Sequence, residues 1–387
     1  MHRRVVLLSA VALAVAGSLV PASAAQAGAA GLDRRPVGWA GADSWGERRT
    51  VLGYWTSQRM QAARPLSAPA PRRATRSDGP TRGTPWATRG TLAQRGSSPQ
   101  YGSSPQRGSS PQRDSWSFRG SSATPAGPAH GTTAALTWSA QDGTAAPART
   151  AQNVALVPNS PGLRWTDGGA VVRSAGRVFF TTADGRNSSC SGTAVTSANE
   201  SVVMTAGHCV KLNGAAHRNW VFVPGFDNGR APFGTWTATT LLTTQQWNAR
   251  EDINFDIAAV VVAPLQGRSL TDVVGGQGVA FNQPRQRQMF SFGYPAAAPF
   301  NGARLIYCSG RAFDDTVMTR DLGLRCDMTG GSSGGPWFQG FDESTGVGWL
   351  NSVNSFKYDF APDFMFGPFF GDEAMAVYQA AQNTDAL

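Results

Sequence analysis

Ser201-Val202-Val203-Met204-Thr205-Ala206-Gly207-His208-Cys209 is a short β-prone run that ends directly on a histidine and a cysteine. The end of a strand presents a side chain rigidly, and a disulfide at Cys209 would clamp the turn that carries His208. Histidine is scarce. Of the four in the chain, His2 and His130 lie far upstream, so a functional histidine in the β-prone part is His208 or His217. His217 stands in a polar loop and reads as a surface residue.

Runs of the same kind surround this stretch at 171–172, 176–180, 220–223, 257–262, 289–292, 305–307 and 347–350, separated by Gly, Asn, Asp and Pro. Many short strands with turn signals between them predict an all-β sandwich or barrel. Residues 372–381 are the exception and predict a helix. About 220 residues from position 165 onward leave room for two small barrels.

Upstream the texture differs. Arg3 and Arg4, an apolar run over 5–20 and small residues through Ala27 form an export signal over 1–27, too short and wrongly flanked for a membrane anchor. Residues 28–150 are rich in Gly, Pro, Ser and Arg. They carry Gly-Ser-Ser-Pro-Gln three times, from Gly96, Gly102 and Gly108. Such a segment buries too little apolar surface to offset its ordering entropy, which predicts a largely disordered pro-segment or linker. One island, 51–60, holds Leu52, Tyr54, Trp55 and Met60, with a helix start near Thr56 or Ser57. It is the part suited to dock on the folded region, 151–387. Residues 1–164 hold 19 arginines against 6 acidic residues, while the rest holds 15 basic and 19 acidic residues. The net charge of +9 therefore belongs to the upstream part and gives no reason to expect nucleic-acid binding by the folded part.

Cys190, Cys209, Cys308 and Cys326 are the only cysteines, and an even number in an exported chain predicts disulfides. Three pairings are possible. The local ones, Cys190–Cys209 and Cys308–Cys326, are favoured, each closing a loop that would contribute about 3 kcal/mol. Without C-x-x-C or H-E-x-x-H, neither a metal nor a cofactor is expected.

The candidate nucleophile is Ser333, within Gly330-Gly331-Ser332-Ser333-Gly334-Gly335-Pro336. The glycines allow unusual dihedrals and close approach of a ligand, and let the N–H groups of Gly331 and Ser333 converge as an oxyanion hole. Asp256 leads into the apolar run 257–262. A carboxylate entering a buried strand needs a partner, and a histidine N–H would supply one. Asp252 is the competitor, but Glu251 beside it suggests a surface position.

The Thr-Ala-Gly-His-Cys, Asp-Ile-Ala and Gly-x-Ser-Gly-Gly-Pro blocks, in this order, resemble those of chymotrypsin-like serine peptidases over roughly 165–387. Residues 291–295 and 327–337 are similar to the bacterial branch that includes glutamyl endopeptidases. The resemblance implies two six-stranded antiparallel barrels with a triad between them and a C-terminal helix. It also implies a secreted endopeptidase of proteins and peptides, in which Ser333 attacks, His208 shuttles the proton and Asp256 orients His208. Partners would be protein or peptide substrates and the chain's own pro-segment, with a monomer as the default.

Two positions depart from the pattern. Ser332 stands where trypsin-like zymogens carry an aspartate that pairs with a new N-terminus. Asp327, six residues before Ser333, matches the specificity acid of trypsin-like enzymes, yet glutamyl relatives carry one there too. Asn354, beside Ser355, occupies the region where glutamyl enzymes use a histidine. Asp327, Asn354 and Ser355 are therefore candidate substrate contacts of undecided preference, with a structural carboxylate the favoured alternative for Asp327. An α/β-hydrolase is excluded because no histidine follows Ser333, and a subtilisin-like arrangement lacks an aspartate ahead of His208 on a helical scaffold. The remaining alternative is a non-catalytic binding module on the same fold.

Overall fold

The computed structural model describes residues 34–66, 68, 71, 79–93 and 159–387. The export signal, the Gly-Ser-Ser-Pro-Gln repeats and the expected boundary near residue 150 lie outside the described residues. The upstream elements are β1 (Val37–Ala40), α1 (Trp45–Tyr54), α2 (Ser57–Ala62), β2 (Arg64–Pro65) and β3 (Trp86–Thr88). Next come β4 (Ser160–Arg164), α3 (Ala170–Ser174), β5 (Ala175–Thr181), β6 (Asn187–Val195) and β7 (Val202–Thr205). A hairpin of β8 (Lys211–Leu212) and β9 (Ala215–Ala216) leads to β10 (Arg218–Pro224), β11 (Trp236–Thr243), α4 (Gln245–Arg250) and β12 (Ala258–Val262). The second half holds α5 (Leu270–Val274), β13 (Gly278–Phe281), β14 (Gln288–Gly293), β15 (Ile306–Arg311), β16 (Phe313–Asp314) and β17 (Leu322–Arg325). It ends with β18 (Pro336–Asp342), β19 (Val347–Val353), β20 (Phe364–Gly367) and α6 (Asp372–Gln382).

The architecture is all-β, as expected. Strands run in the order β11-β10-β5-β6-β7-β12, and pairing of β11 with β12 closes a six-stranded barrel. Its interior holds Val178, Phe180, Ala194, Val203, Phe222 and Val260, each fully buried. In the second half the ladder β3-β13-β19-β18-β14-β15-β4 is separate from β16-β17-β20. The two ladders enclose a second core of Met289, Leu322, Leu324, Met328, Trp337 and Met365. The links that join them include the Cys308–Cys326 disulfide, the bridge between Phe356 and Phe366 and the hydrogen bond from Ser352 Oγ to Pro368 O. The second unit thus closes partly through covalent and core contacts and not through one continuous ladder.

The closing helix α6 buries Ala374, Val377, Tyr378 and Ala381, the i, i+3, i+4, i+7 spacing of one helical face. Asp372 and Glu373 in its first turn complement the dipole. The pair Val171-Val172, expected in a strand, lies in the one-turn helix α3. Gly168 and Gly169, at φ +74° and +77°, turn the chain immediately before it, and Val171 is buried without a ladder.

Upstream, the ordered structure is wider than the island at 51–60. A capping box between Ser44 and Glu47 starts α1, and the Thr56 side chain accepts from the Arg59 N–H to start α2. Strand β1 pairs with β11 at four positions and β3 with β13 at three. Their residues gain by completing existing sheets what they cannot gain alone. No helix among the described residues is long and apolar enough to cross a membrane.

The Cys308–Cys326 link closes an 18-residue separation between the two ladders of the second half. Replacing both cysteines by alanine is expected to destabilise the protein by about 3 kcal/mol. Urea unfolding followed by tryptophan fluorescence checks this; an unchanged midpoint would mean that the core closes this half without help.

Candidate functional site

The site begins with a register. Ala258 of β12 pairs with Thr205 of β7, so the residues just before β12 lie beside those just after β7. Asp256 and His208 meet there, both with no exposed surface. The Asp256 carboxylate accepts from the His208 backbone N–H at 2.7 Å through Oδ1. Through Oδ2 it meets His208 Nδ1 at 2.7 Å and accepts from Ser355 Oγ at 2.5 Å. A carboxylate offers no proton when ionised, so His208 carries its proton on Nδ1, which leaves Nε2 as the lone-pair nitrogen. The turn needs glycine at 207, where a Cβ would stand 2.8 Å from Trp247 Cγ and 3.0 Å from Asp256 Oδ1. Asp252 caps the short helix Ile253–Phe255, its side chain accepting from Asn254 N–H, and is not part of this pair.

Ser333 sits in the glycine turn before β18. Gly331 has φ +96°, and a Cβ there would lie 3.0 Å from Tyr294 O and from Ala296 N. That left-handed conformation is fixed from behind: Ser191 Oγ donates to Gly331 O at 2.9 Å and accepts from Tyr294 N–H at 2.9 Å. The Ser333 carbonyl accepts from Ser191 N–H at 2.7 Å, and the Cys190–Cys209 disulfide lies next to it. Ser332 donates its hydroxyl to Thr329 O at 2.8 Å, so the turn is built locally where zymogens use an ion pair.

Asn354 is fully buried. Its amide donates to Phe292 O and Ser332 O, and its oxygen accepts from Ser291 Oγ and Trp337 Nε1. It braces the turn from inside, with its side-chain capacity spent. Ser355 faces Asp256, as described. Asp327 Oδ1 accepts from Gly162 N–H of β4 at 2.7 Å. Beside it lies Lys357, which sequence reasoning did not single out. Its Nζ donates to Cys326 O at 2.8 Å and Pro362 O at 2.5 Å, and burial pulls its pKa down to about 8 against the opposing pull of Asp327 and Asp363. A lone lysine in a Ser-Phe-Lys-Tyr stretch gives no sequence signal; only the fold turns it inward.

His217 corrects the surface expectation. It is 4% exposed, stacks on Phe180 with ring centroids 4.2 Å apart, and its Nε2 lies 2.9 Å from His208 O. A carbonyl only accepts, so Nε2 carries the proton. Burial lowers its pKa to about 4. Among the described residues, Cys190, His208 and Cys209 bring ligand-type atoms within 4.8 Å of one another, but the two sulfurs are bonded to each other.

One further group enters from upstream. Leu66 O accepts from Gly331 N–H at 3.2 Å and from Ser333 Oγ at 3.4 Å, while His208 Nε2 is buried without a hydrogen-bond partner. A carbonyl oxygen therefore takes one of the two expected oxyanion donors, the Gly331 N–H, and the serine hydroxyl points at it instead of at the imidazole.

The chain is similar to known serine proteases. Residues 190–347, which contain His208, Asp256 and Ser333, match the family model described as a trypsin-like peptidase domain. The crystal structure of a thermostable serine protease, AL20, from an extremophilic microorganism is similar at 43% identity and a TM-score of 0.53. The match covers 56% of this chain and 100% of that one. The protease Anisep from Arthrobacter nicotinovorans is also 43% identical with a TM-score of 0.53, over 58% of this chain and 99% of its own. A Glu endopeptidase structure matches at 16% identity and a TM-score of 0.44, over 59% of this chain and 99% of its own. No curated protein matches the chain.

The buried ring of His217 makes a pH signature. Its folded pKa of about 4 lies below its unfolded value, so its contribution to stability is present above about pH 6.5 and is lost as pH falls through that value toward 4. Relative to His217→Gln, the wild type is expected to lose on the order of 3 kcal/mol between those limits. Urea unfolding of both proteins at pH 7.5 and 4 measures it, and parallel losses in the two would refute the assignment.

Proposed function

Because the chain belongs to the trypsin-like peptidase family, we propose that it is a secreted serine endopeptidase that hydrolyses peptide bonds through Ser333, His208 and Asp256. The observation that carries this reading is the buried Asp256 carboxylate on His208 Nδ1, which leaves Nε2 as a base beside the glycine turn of Ser333. In the reaction Ser333 Oγ attacks the scissile carbonyl while its proton passes to His208 Nε2. The imidazolium so formed is stabilised by Asp256, whose second oxygen is already fixed by the His208 N–H. The carbonyl oxygen becomes an oxyanion held by the N–H groups of Gly331 and Ser333, where stabilisation is strongest because the donors are fixed in advance. His208 then gives the proton to the leaving amine, and water resolves the acyl-enzyme by the same steps.

The position of Leu66 O at Gly331 N–H supports this reading, since it marks where a substrate carbonyl would lie. Export is supported by two disulfides, which persist in oxidising compartments. Asp327, six residues before Ser333 and tied to Gly162, and Lys357, held over Cys326 O, are the charged candidates for reading the substrate side chain.

Mass-spectrometric profiling of new peptide ends in a denatured protein mixture tests the proposal, with secreted wild type and Ser333→Ala side by side. New ends are expected with wild type only. Asp256→Asn should lower kcat by roughly ten-thousand-fold, because the imidazole loses the partner that fixes its tautomer. Equal profiles for wild type and Ser333→Ala would make the chain a binding module on a peptidase fold.

A further inference from the structure

The upstream segment crosses the candidate site. Residues Arg64 and Pro65 pair in parallel with Ser188 and Ser189 of β6, and Leu66 N–H donates to Ser189 O at 2.9 Å. Leu66 O then takes the Gly331 N–H and the Ser333 hydroxyl, and beyond it Ala68 packs against the apolar cluster that contains Trp247, Ile253, Phe356, Tyr358 and Phe366. A chain lying along this path excludes another chain from it.

The crossing is anchored upstream. Trp55 is 5% exposed, donates its indole N–H to Asn219 O at 2.5 Å and lies 5.6 Å from the Phe179 ring. Tyr54 donates its hydroxyl to Asn187 Oδ1 at 2.7 Å, and Met60 and Ala63 are also buried. Burying a tryptophan and a methionine favours the docked state through the apolar area taken from water, and the paired β1 adds to it. The segment therefore brings its own affinity and does not depend on the three contacts in the cleft.

We infer that residues 37–66 are an intramolecular inhibitor, a strap that holds the Leu66 carbonyl on the Gly331 N–H and turns the Ser333 hydroxyl away from His208. The inference rests on the peptidase reading of the same site. The strap is not itself consumed because the proton that must leave Ser333 is donated to Leu66 O, while His208 Nε2, the base, has no hydrogen bond to the serine. Without that proton transfer the nucleophile stays a neutral alcohol, and the carbonyl is bound but not attacked. Inhibition lasts as long as Trp55 and Met60 stay docked, and the fraction of time they are undocked sets the available activity.

The test uses the full chain and a fluorophosphonate that labels a reactive serine. Wild type is compared with Trp55→Ala, which removes the anchor, and with Leu66→Pro, which removes the N–H given to Ser189. Leu52→Ala, at an exposed position of α1, is the control, and thermal unfolding of each variant reports whether it is folded. Both loosened variants are expected to label Ser333 at least about tenfold faster than wild type and the control, with no label in Ser333→Ala. Equal, rapid labelling of wild type and both variants would overturn the strap while leaving the peptidase reading intact. Folded variants that never label would overturn both. An accumulating wild-type fragment that ends at Leu66 would also overturn the inference, by making the segment a substrate.

Discussion

A single buried carboxylate sets the terms for this protein. Asp256 has no exposed surface, and an ionised carboxylate there is tolerable only if its lone pairs are met. They are met by three donors of different origin: the His208 backbone, the His208 ring and Ser355. The first two come from the closed barrel and the third from the segment just after β19 in the second half. Satisfying one charge therefore fixes the barrel register between β7 and β12, the turn at Gly207 and the placement of the second half against the first. Loss of any donor leaves a buried charge short of a partner, which costs more than the bond itself contributes.

The serine turn is organised by the opposite means, through neutral hydroxyls and backbone. Strand β6 is the hub. Ser191 holds the Gly331 carbonyl and the Tyr294 N–H, its own N–H holds the Ser333 carbonyl, and Ser189 meets the Arg177 guanidinium at 2.6 Å. Arg177, its pKa lowered by burial to about 10, lies between the rings of Phe179 and Phe226. Asn354 ties the turn to β14 and β18 from below. The hydroxyl of Ser191, the amide of Asn354 and the carbonyls of Gly331, Ser332 and Ser333 each have a defined partner, and together they hold the left-handed glycine.

The upstream residues follow the same logic of satisfaction. As free chain, 34–66 and 79–93 would leave β-prone backbone unpaired and tryptophans in water. Docked, β1 and β3 extend two existing sheets. Trp86 stacks near Phe281 and Tyr378, and Thr81 gives its N–H and hydroxyl to Glu373 of the closing helix. The segment touches both halves of the folded part, which is why its hold on the cleft is a property of the whole molecule.

Amino-acid order alone determined the strand-rich class, the closing helix, the even cysteines and the three blocks around His208, Asp256 and Ser333. These are local signals: apolar runs bounded by turn residues, glycines where a Cβ cannot fit, and a histidine too scarce to be ambiguous. Strand β6 was not legible, because Asn187–Val195 is mostly Ser, Asn, Gly and Thr with no apolar run, and only the pairing with β5 and β7 buries it. His217 reads as a surface residue for the same reason, since nothing local reveals that Phe180 will stack on it. Asn354, Lys357 and Leu66 took their positions from contacts between residues far apart in sequence. Tertiary structure alone decided them, because burial and pairing depend on which distant chain arrives alongside, and a sequence window contains no term for that.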